Sequence, residues 1–580
     1  MSNLKTFEIL DESQIKDMDR AFRTVLAQAS QGTSPLELGL ATMDWISHLA
    51  ISPGKRVQLA QSFLGKLQQL GIYSIESLFN KSAEGPASTI ERRMSSEAWQ
   101  KWPFKVFAQA HQVSKDWWKE ATLGVEGVRG EHEIQMHALA DQILDMLSPA
   151  NSPITNPEVL QTTLKERGMN LARGMRFFVQ DQMRNAAKNG VAENDAFKVG
   201  ENLAVTPGKV VFQNSLLELI QYQPVTETVA AEPVLISPAW IMKYYILDLS
   251  PHNSMVKYLT EQGKTVFIIS WKNPQKEDKN TSFEDYVELG LMKAIDAVSA
   301  ICPRRKIHAV GYCIGGTLLS ITASAMARDD DDRLQSISLF AAQADFSEAG
   351  EITRFVSPSQ LSFLEKLMWK QGYLGTDKMG GAFSALRSSD LVYAGIVDRY
   401  FMGKKASLND MMSWNADGTR MPYLMHTEYL TQLYLENQLS QSKFKVGGRT
   451  ISISDIRVPL FVLGTETDHV APWHSVYKFH NMTHGELTFA LTSGGHNAGV
   501  VSGREHPRRR YRIHTRQNGD KYMDPDTWLE SMDVNPGSWW PAWDQWLDQR
   551  TTAQIKPPTM GASRKGYKPL RDAPGEYVFG

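Results

Sequence analysis

Cysteine is nearly missing from this chain: 580 residues hold two, Cys302 and Cys313. With an extended strand between them, at about 3.3 Å per residue, their Cα atoms lie beyond the ~7 Å that a disulfide can bridge. A disulfide framework is therefore excluded, and Cys313 is expected to be a free thiol in a reducing compartment. An excess of positive charge is missing too. With 62 Lys+Arg against 64 Asp+Glu the net charge is −2, which leaves no basic footprint for nucleic acid. The opening stretch, MSNLKTFEILDESQIKDMDR, spreads its charges and has no apolar core, so no secretory signal is read and a cytoplasmic location is expected. Long apolar runs are scarce. Residues 309–327 go 19 positions without a charge, about the length of a membrane span, but their glycines, serines and threonines fit a buried core segment and no transmembrane segment is expected. No His/Cys cluster has metal-ligand spacing, so neither a metal nor a redox cofactor is expected.

What is present divides the chain in two. At 580 residues, 42% hydrophobic, it is too long for one ordinary core. Residues 1–200 read as a helical N-terminal domain, with apolar residues at three- and four-residue spacing over 21–29, 56–69, 106–121 and 134–147. The aromatics Trp99, Trp102, Phe104, Phe107, Trp117 and Trp118 crowd this part, either as its core or as an apolar surface for a partner or a hydrophobic polymer. Over 201–580 strand and helix patterns alternate. Strands are read at 210–212, 234–237, 265–270, 306–310, 336–341, 460–464 and 486–491, and a helix over 283–301 has Val287, Leu291, Ala294, Ile295 and Val298 in one stripe. That rhythm predicts an α/β fold: a mainly parallel sheet with flanking helices. Residues 345–439 interrupt it with a long, mostly helical insertion rich in Met, Tyr and Trp, as a lid would. The last ~25 residues read as an extended tail.

The chemistry centres on Cys313. Residues 306–310 read as a strand, 311–316 as a tight turn and 317–327 as a helix, which makes Gly311-Tyr312-Cys313-Ile314-Gly315 a nucleophile elbow with sulfur in place of a serine hydroxyl. Such a nucleophile needs a base and a group that orients the base, and in an α/β-hydrolase fold the chain order is nucleophile, acid, histidine. Asp468, in TETDHVAPW past one strand, and His496, in SGGHNAG past the next, fit that order at one sheet edge. Asp455 and Glu466 compete for the acid's place. His469 competes for the base's, although neighbours on an extended backbone point opposite ways.

From about residue 140 onward the chain resembles the polyhydroxyalkanoate synthases, the first ~100 residues doing so weakly. The likeness rests on LSPANSPITNPEVL, FKVGENLAVTPGKVVFQNSLLELIQY, KYYILDLSPHNSMVKYL with VFIISWKNP, GYCIGG, SWNADGTRMP with YLENQL, TDHVAPW, SGGHNAG and GSWWPAW. It implies an α/β-hydrolase-type catalytic domain over 201–580 with its lid at 345–439, and Cys313 as the acyl-carrying nucleophile. It implies His496 as base and Asp468 as third member, with a further part for Asp468 in activating the 3-hydroxyl of the incoming unit left open. By length and tail it is most like the class I enzymes, which implies a short-chain (R)-3-hydroxyacyl-CoA substrate, free CoA as product, a homodimer and attachment to polyester granules. Backbone N–H groups of Ile314 and of the loop near Trp240 are expected to meet the oxyanion. The chain departs from the family's pattern at Pro238–Met242, at Thr465-Glu466-Thr467 and in its long Arg-rich segment 504–516, which bear on chain-length preference and the entrance channel. A thioesterase or polyester depolymerase of the same fold, or a non-catalytic granule coat, are the rival readings.

Overall fold

The computed structural model describes residues 34–580 except 81, 88, 187–195, 377–391 and 406–408. The described residues form two compact units, one from within 1–193 and 377–407, the other from within 194–376 and 408–580. Among the described residues of the first unit, the longer helices are Pro35–Ala50, Pro53–Phe79, Phe104–Thr122, Gly130–Met146, Pro157–Lys165 and Met169–Ala186. Their starts follow ordinary capping chemistry: Ser34 Oγ accepts from the Glu37 N–H at 3.3 Å, and Asn156 Oδ1 from Glu158 and Val159. The helices expected at 56–69, 106–121 and 134–147 are present and longer, while 21–29 lies outside the described residues. Trp99 is completely buried against Met94, Ala108 and Ala150, whereas Trp102, Phe107 and Trp118 keep exposed surface, so the aromatics serve in part as core and in part as surface.

The described part of the expected lid is divided between the two units. Residues 392–405 fall within the expected lid but group with the helical unit. Gly174 lets the Tyr400 carbonyl approach so closely that a Cβ would sit 1.8 Å from it, Asn170 Nδ2 donates to Phe401 O at 2.8 Å, and the Arg399 guanidinium is paired with Asp181. Such close backbone packing depends on a glycine hundreds of residues away in sequence, and no local pattern reports it.

Among the described residues, the second unit is built on an eleven-stranded sheet. We number its strands in chain order: β1 Gly208–Gln213, β2 Leu217–Tyr222, β3 Val234–Ser237, β4 Val266–Trp271, β5 Ile307–Tyr312, β6 Leu334–Phe340, β7 Leu460–Thr465, β8 Leu487–Thr492, β9 Arg510–Arg516, β10 Asn535–Pro536 and β11 Arg571–Asp572. The spatial order is β10-β9-β8-β7-β6-β5-β3-β4-β2-β1-β11. The six strands from β4 to β8 in that order are parallel, and β9, β10, β2, β1 and β11 extend the sheet antiparallel on both sides. β3, β4, β5, β7 and β8 are buried at every position, as parallel strands covered on both faces must be.

The seven strands expected here all exist within about two residues. Four others, β2, β9, β10 and β11, are not among the strands read from the sequence. β9 reads RYRIHTR and was expected only as an Arg-rich segment; it pairs with β8 over six residues. The tail is not merely extended: β11 pairs with β1, and Glu218, a fully buried carboxylate on β2, accepts the N–H groups of Glu576 and Tyr577 at 2.9 Å and the Arg571 guanidinium. The 283–301 helix is present but passes through a π-helical stretch, Tyr286–Met292. Among the described residues, no helix is long and apolar enough to cross a membrane. Residues 309–327 are instead β5 and the helix Ile314–Arg328.

Candidate active site

β5 runs into the helix Ile314–Arg328 with one residue between them. That residue, Cys313, has φ 56° and ψ −128°, a conformation that costs an L-residue energy and that persists only where its surroundings enforce it. The enforcement is visible in the glycines. A Cβ on Gly311 would stand 2.4 Å from Gly316 Cα, one on Gly315 2.3 Å from Ser237 O and 2.6 Å from Pro238 O, and one on Gly316 2.5 Å from Ala342 Cβ. The loop after β3 is thereby drawn against the start of the helix, as a loop supplying an oxyanion donor must be. Ile314, the first residue of that helix, has an N–H without an intrahelical acceptor. Trp240 lies in the apposed loop, its ring against Tyr286 at 4.5 Å and its carbonyl taken by Thr419 Oγ1. Cys313 is half-buried and free. Cys302, also free, is buried before β5 at the opposite sheet edge, and burial pushes its thiol up to about 12.

Asp468 follows β7 and His496 follows β8, both at the carboxyl edge where Cys313 sits. His496 Nδ1 is 2.7 Å from Asp468 Oδ2, and the ring also lies within the electrostatic reach of the Cys313 sulfur. Burial works against a charge on the imidazole. The Asp468 carboxylate and the Cys313 sulfur overcome it and hold the His496 pKa well above the usual histidine range. For Asp468, burial pushes the pKa up, but His496 and the backbone N–H groups of Ala471 and Val470 outweigh it and keep the carboxyl below its ordinary range. Of the competitors for the acid's place, Glu466 is paired with Arg510 and Arg512, and Asp455 lies in the turn preceding β7.

The Asp468 carboxylate is saturated. Oδ1 accepts from Val470 N and Ala471 N, both at 2.8 Å, while Oδ2 accepts from Thr465 Oγ1 at 3.1 Å and from His496. Its side chain is 0% exposed. No lone pair is left for a substrate hydroxyl, so the geometry speaks against the second part left open for this residue.

The surroundings contain residues that sequence reasoning did not single out. Tyr429 and Tyr434, from the inserted segment, are hydrogen-bonded to each other at 3.4 Å. Burial raises both hydroxyls' pKa values, and the charge of Cys313 raises them further. More than a hundred residues separate them from Cys313, and nothing local marks them. GSWWPAW, by contrast, acquires a purpose. Trp539 Nε1 donates to Gly499 O at 3.1 Å and Trp540 Nε1 to Val500 O at 3.0 Å, and the Arg509 guanidinium reaches Ala498 O, so three successive carbonyls of the short helix beginning at His496 are held.

A cysteine strained at a strand-to-helix elbow, with a histidine and an aspartate off two later strands of one parallel sheet, defines an α/β-hydrolase-fold protein with a Cys–His–Asp arrangement. Residues 232–501 match the alpha/beta hydrolase fold family, residues 90–259 the family described as Poly-beta-hydroxybutyrate polymerase (PhaC) N-terminus, and residues 13–55 Poly-beta-hydroxybutyrate polymerase N terminal. The chain is 34% identical to the poly(3-hydroxyalkanoate) polymerase subunit of Rhizobium meliloti (strain 1021), over 98% of this chain and 95% of that one. It is 34% identical to the poly(3-hydroxyalkanoate) polymerase of Methylorubrum extorquens, over 94% and 91%, and 33% identical to the polymerase subunit of Cupriavidus necator, over 90% and 89%. The chain belongs to the poly(3-hydroxyalkanoate) polymerase family. The likeness also begins earlier than the motifs suggested, at residue 13.

Proposed function

We propose that this protein polymerises (R)-3-hydroxyacyl-CoA, with 3-hydroxybutyryl-CoA as a preferred short-chain unit, into polyester with release of CoA, as an acyltransferase. The observation that carries the reading is the His496 ring, hydrogen-bonded to Asp468 and set off the same sheet edge as the strained Cys313, in a chain of this family. His496 takes the Cys313 proton, and the sulfur attacks the thioester carbonyl. Collapse of the tetrahedral intermediate expels CoA, which leaves with the proton from His496, and an acyl-cysteine remains. The oxyanion in each step is met by the backbone N–H of Ile314 and of the loop at Trp240. His496 then takes the proton of a 3-hydroxyl, and that oxygen attacks the acyl-cysteine to form an ester and return the thiol. Asp468 holds the imidazole in one tautomer and balances its charge. All of these steps use side chains and backbone alone.

The resemblance further supports a cytoplasmic homodimer attached to the granule its product forms. The deciding experiment incubates the purified protein with 3-hydroxybutyryl-CoA and follows CoA and insoluble polymer together. Polymer in proportion to CoA is expected. CoA release matched by free hydroxy acid would make the protein a thioesterase, and no CoA release a granule coat.

A further inference from the structure

The site described so far orients the imidazole from its Nδ1 side. A second contact acts on the ring face. Tyr312, the residue before the nucleophile, is buried, and its ring lies nearly parallel to His496, with centroids 5.6 Å apart and planes 27° apart. Its hydroxyl donates to Asn497 Oδ1 at 2.6 Å and lies 3.4 Å from the His496 carbonyl oxygen. Burial, with the charges of Cys313 and Asp468 added, raises the phenol's pKa well above the usual tyrosine range, so it stays a neutral donor throughout the working pH range. The last residue of β5 is thus tied directly to the first two residues of the helix that presents the base, His496–Val500. A five-residue helix has little rigidity of its own. Its far end is held through Ala498, Gly499 and Val500, and Tyr312–Asn497 is the corresponding tie at its near end.

We infer that Tyr312 and Asn497 form a positioning pair: the phenol ring sets the tilt of the His496 imidazole between Cys313 and Asp468, and the hydroxyl–amide bond locks that ring in place. The inference rests on the reading of His496 as the base for Cys313. Neither residue needs to touch substrate. Both therefore act on the chemical step rather than on substrate affinity, and removing either deletes the same bond.

The test uses the full-length protein and four variants, Tyr312→Phe, Asn497→Ala, the double variant and His496→Ala. Two quantities are read: kcat and KM for CoA release from 3-hydroxybutyryl-CoA, and the pH dependence of Cys313 alkylation by iodoacetamide, resolved from Cys302 by peptide mass. Tyr312→Phe keeps the ring and loses the bond, and should lower kcat about five- to ten-fold, the worth of one buried hydrogen bond, with KM unchanged. Its alkylation profile should move toward that of His496→Ala. Asn497→Ala should do the same, and the double variant should be no worse than either single one. Additive losses, an unshifted alkylation profile, or a change confined to KM would overturn the pair. If His496→Ala itself leaves Cys313 alkylation unchanged, the reading of His496 as base fails first, and the pair fails with it. Thermal denaturation of each variant identifies one that has not folded; in that case Tyr312→His, which keeps a ring and a polar edge toward Asn497, takes the place of Tyr312→Phe and must restore the split between kcat and KM, or the pair is wrong.

Discussion

At the scale of single residues, the two cysteines make an internal control. Cys313 is half-buried at the carboxyl edge beside an imidazole, and Cys302 is enclosed at the other edge with its thiol pushed up to about 12. Cys313→Ala should abolish CoA release and change stability by less than about 1 kcal/mol, since one atom leaves a half-buried site. Cys302→Ala should keep most activity. CoA assays beside denaturant melts check both, and a folded but inactive Cys302 variant would sink the elbow assignment. The saturated Asp468 carboxylate leads to a sharper expectation. Because all its hydrogen-bonding positions are occupied by Thr465, Val470, Ala471 and His496, it can act only through the imidazole. In Asp468→Asn, single-turnover CoA release and steady-state polymer yield should fall by the same factor, on the order of 100-fold, less than for a serine nucleophile because a thiol is the stronger acid. A polymer yield that falls much further than CoA release would restore a separate part for Asp468 in activating the hydroxyl.

At the scale of elements, the site depends on how closely the β5 elbow packs on the loop after β3. Gly315→Ala places a methyl against two backbone carbonyls, of Ser237 and Pro238, that have no flexible side chain to give way. The loop must retreat, taking the Trp240 backbone with it. We expect a loss of roughly 2 kcal/mol in stability and a larger proportional loss in kcat, measured by chemical denaturation and CoA release. Retained kcat in a folded variant would mean that this loop supplies nothing to the oxyanion. The tail is the other element whose part is structural. Arg571→Ala removes the cation from the fully buried Glu218, leaving it only the N–H groups of Glu576 and Tyr577. The expected cost is roughly 2–3 kcal/mol, read from denaturant midpoints, and Glu218→Gln in the same background should recover part of it.

At the scale of the whole molecule, acid should loosen the catalytic unit before it titrates the site's carboxylate. His308, His426 and His480 are buried, and burial lowers their pKa values to about 3, 4 and 4. Unfolded, each titrates near 6.5. Below that pH the unfolded chain binds protons that the folded one refuses, so stability that is complete above pH 6.5 is lost as pH falls toward 4. Between pH 6.5 and 5 each histidine contributes roughly 2 kcal/mol of that loss, on the order of 5 kcal/mol together. Urea denaturation of the second unit at pH 7 and pH 5 checks this. A midpoint that does not fall would show that these rings are not buried and neutral.

The sequence by itself determined the sheet's parallel core, the elbow, and the order Cys313, Asp468, His496, because strand periodicity, a glycine-bounded turn and chain order are local or ordinal properties that survive without coordinates. It also carried the family, in motifs such as GYCIGG and GSWWPAW. The tertiary structure alone decided what depends on contact across long sequence distances. Residues 392–405 join the helical unit because Gly174 admits Tyr400, the tail completes the sheet because Glu218 needs a cation, and Trp539 and Trp540 hold the helix of His496. Tyr429 and Tyr434 come within the electrostatic reach of Cys313 for the same reason. Local spacing cannot report such contacts, since a hydrogen bond or a close packing is set by where the backbone returns in space, and that is fixed only when the whole core has closed.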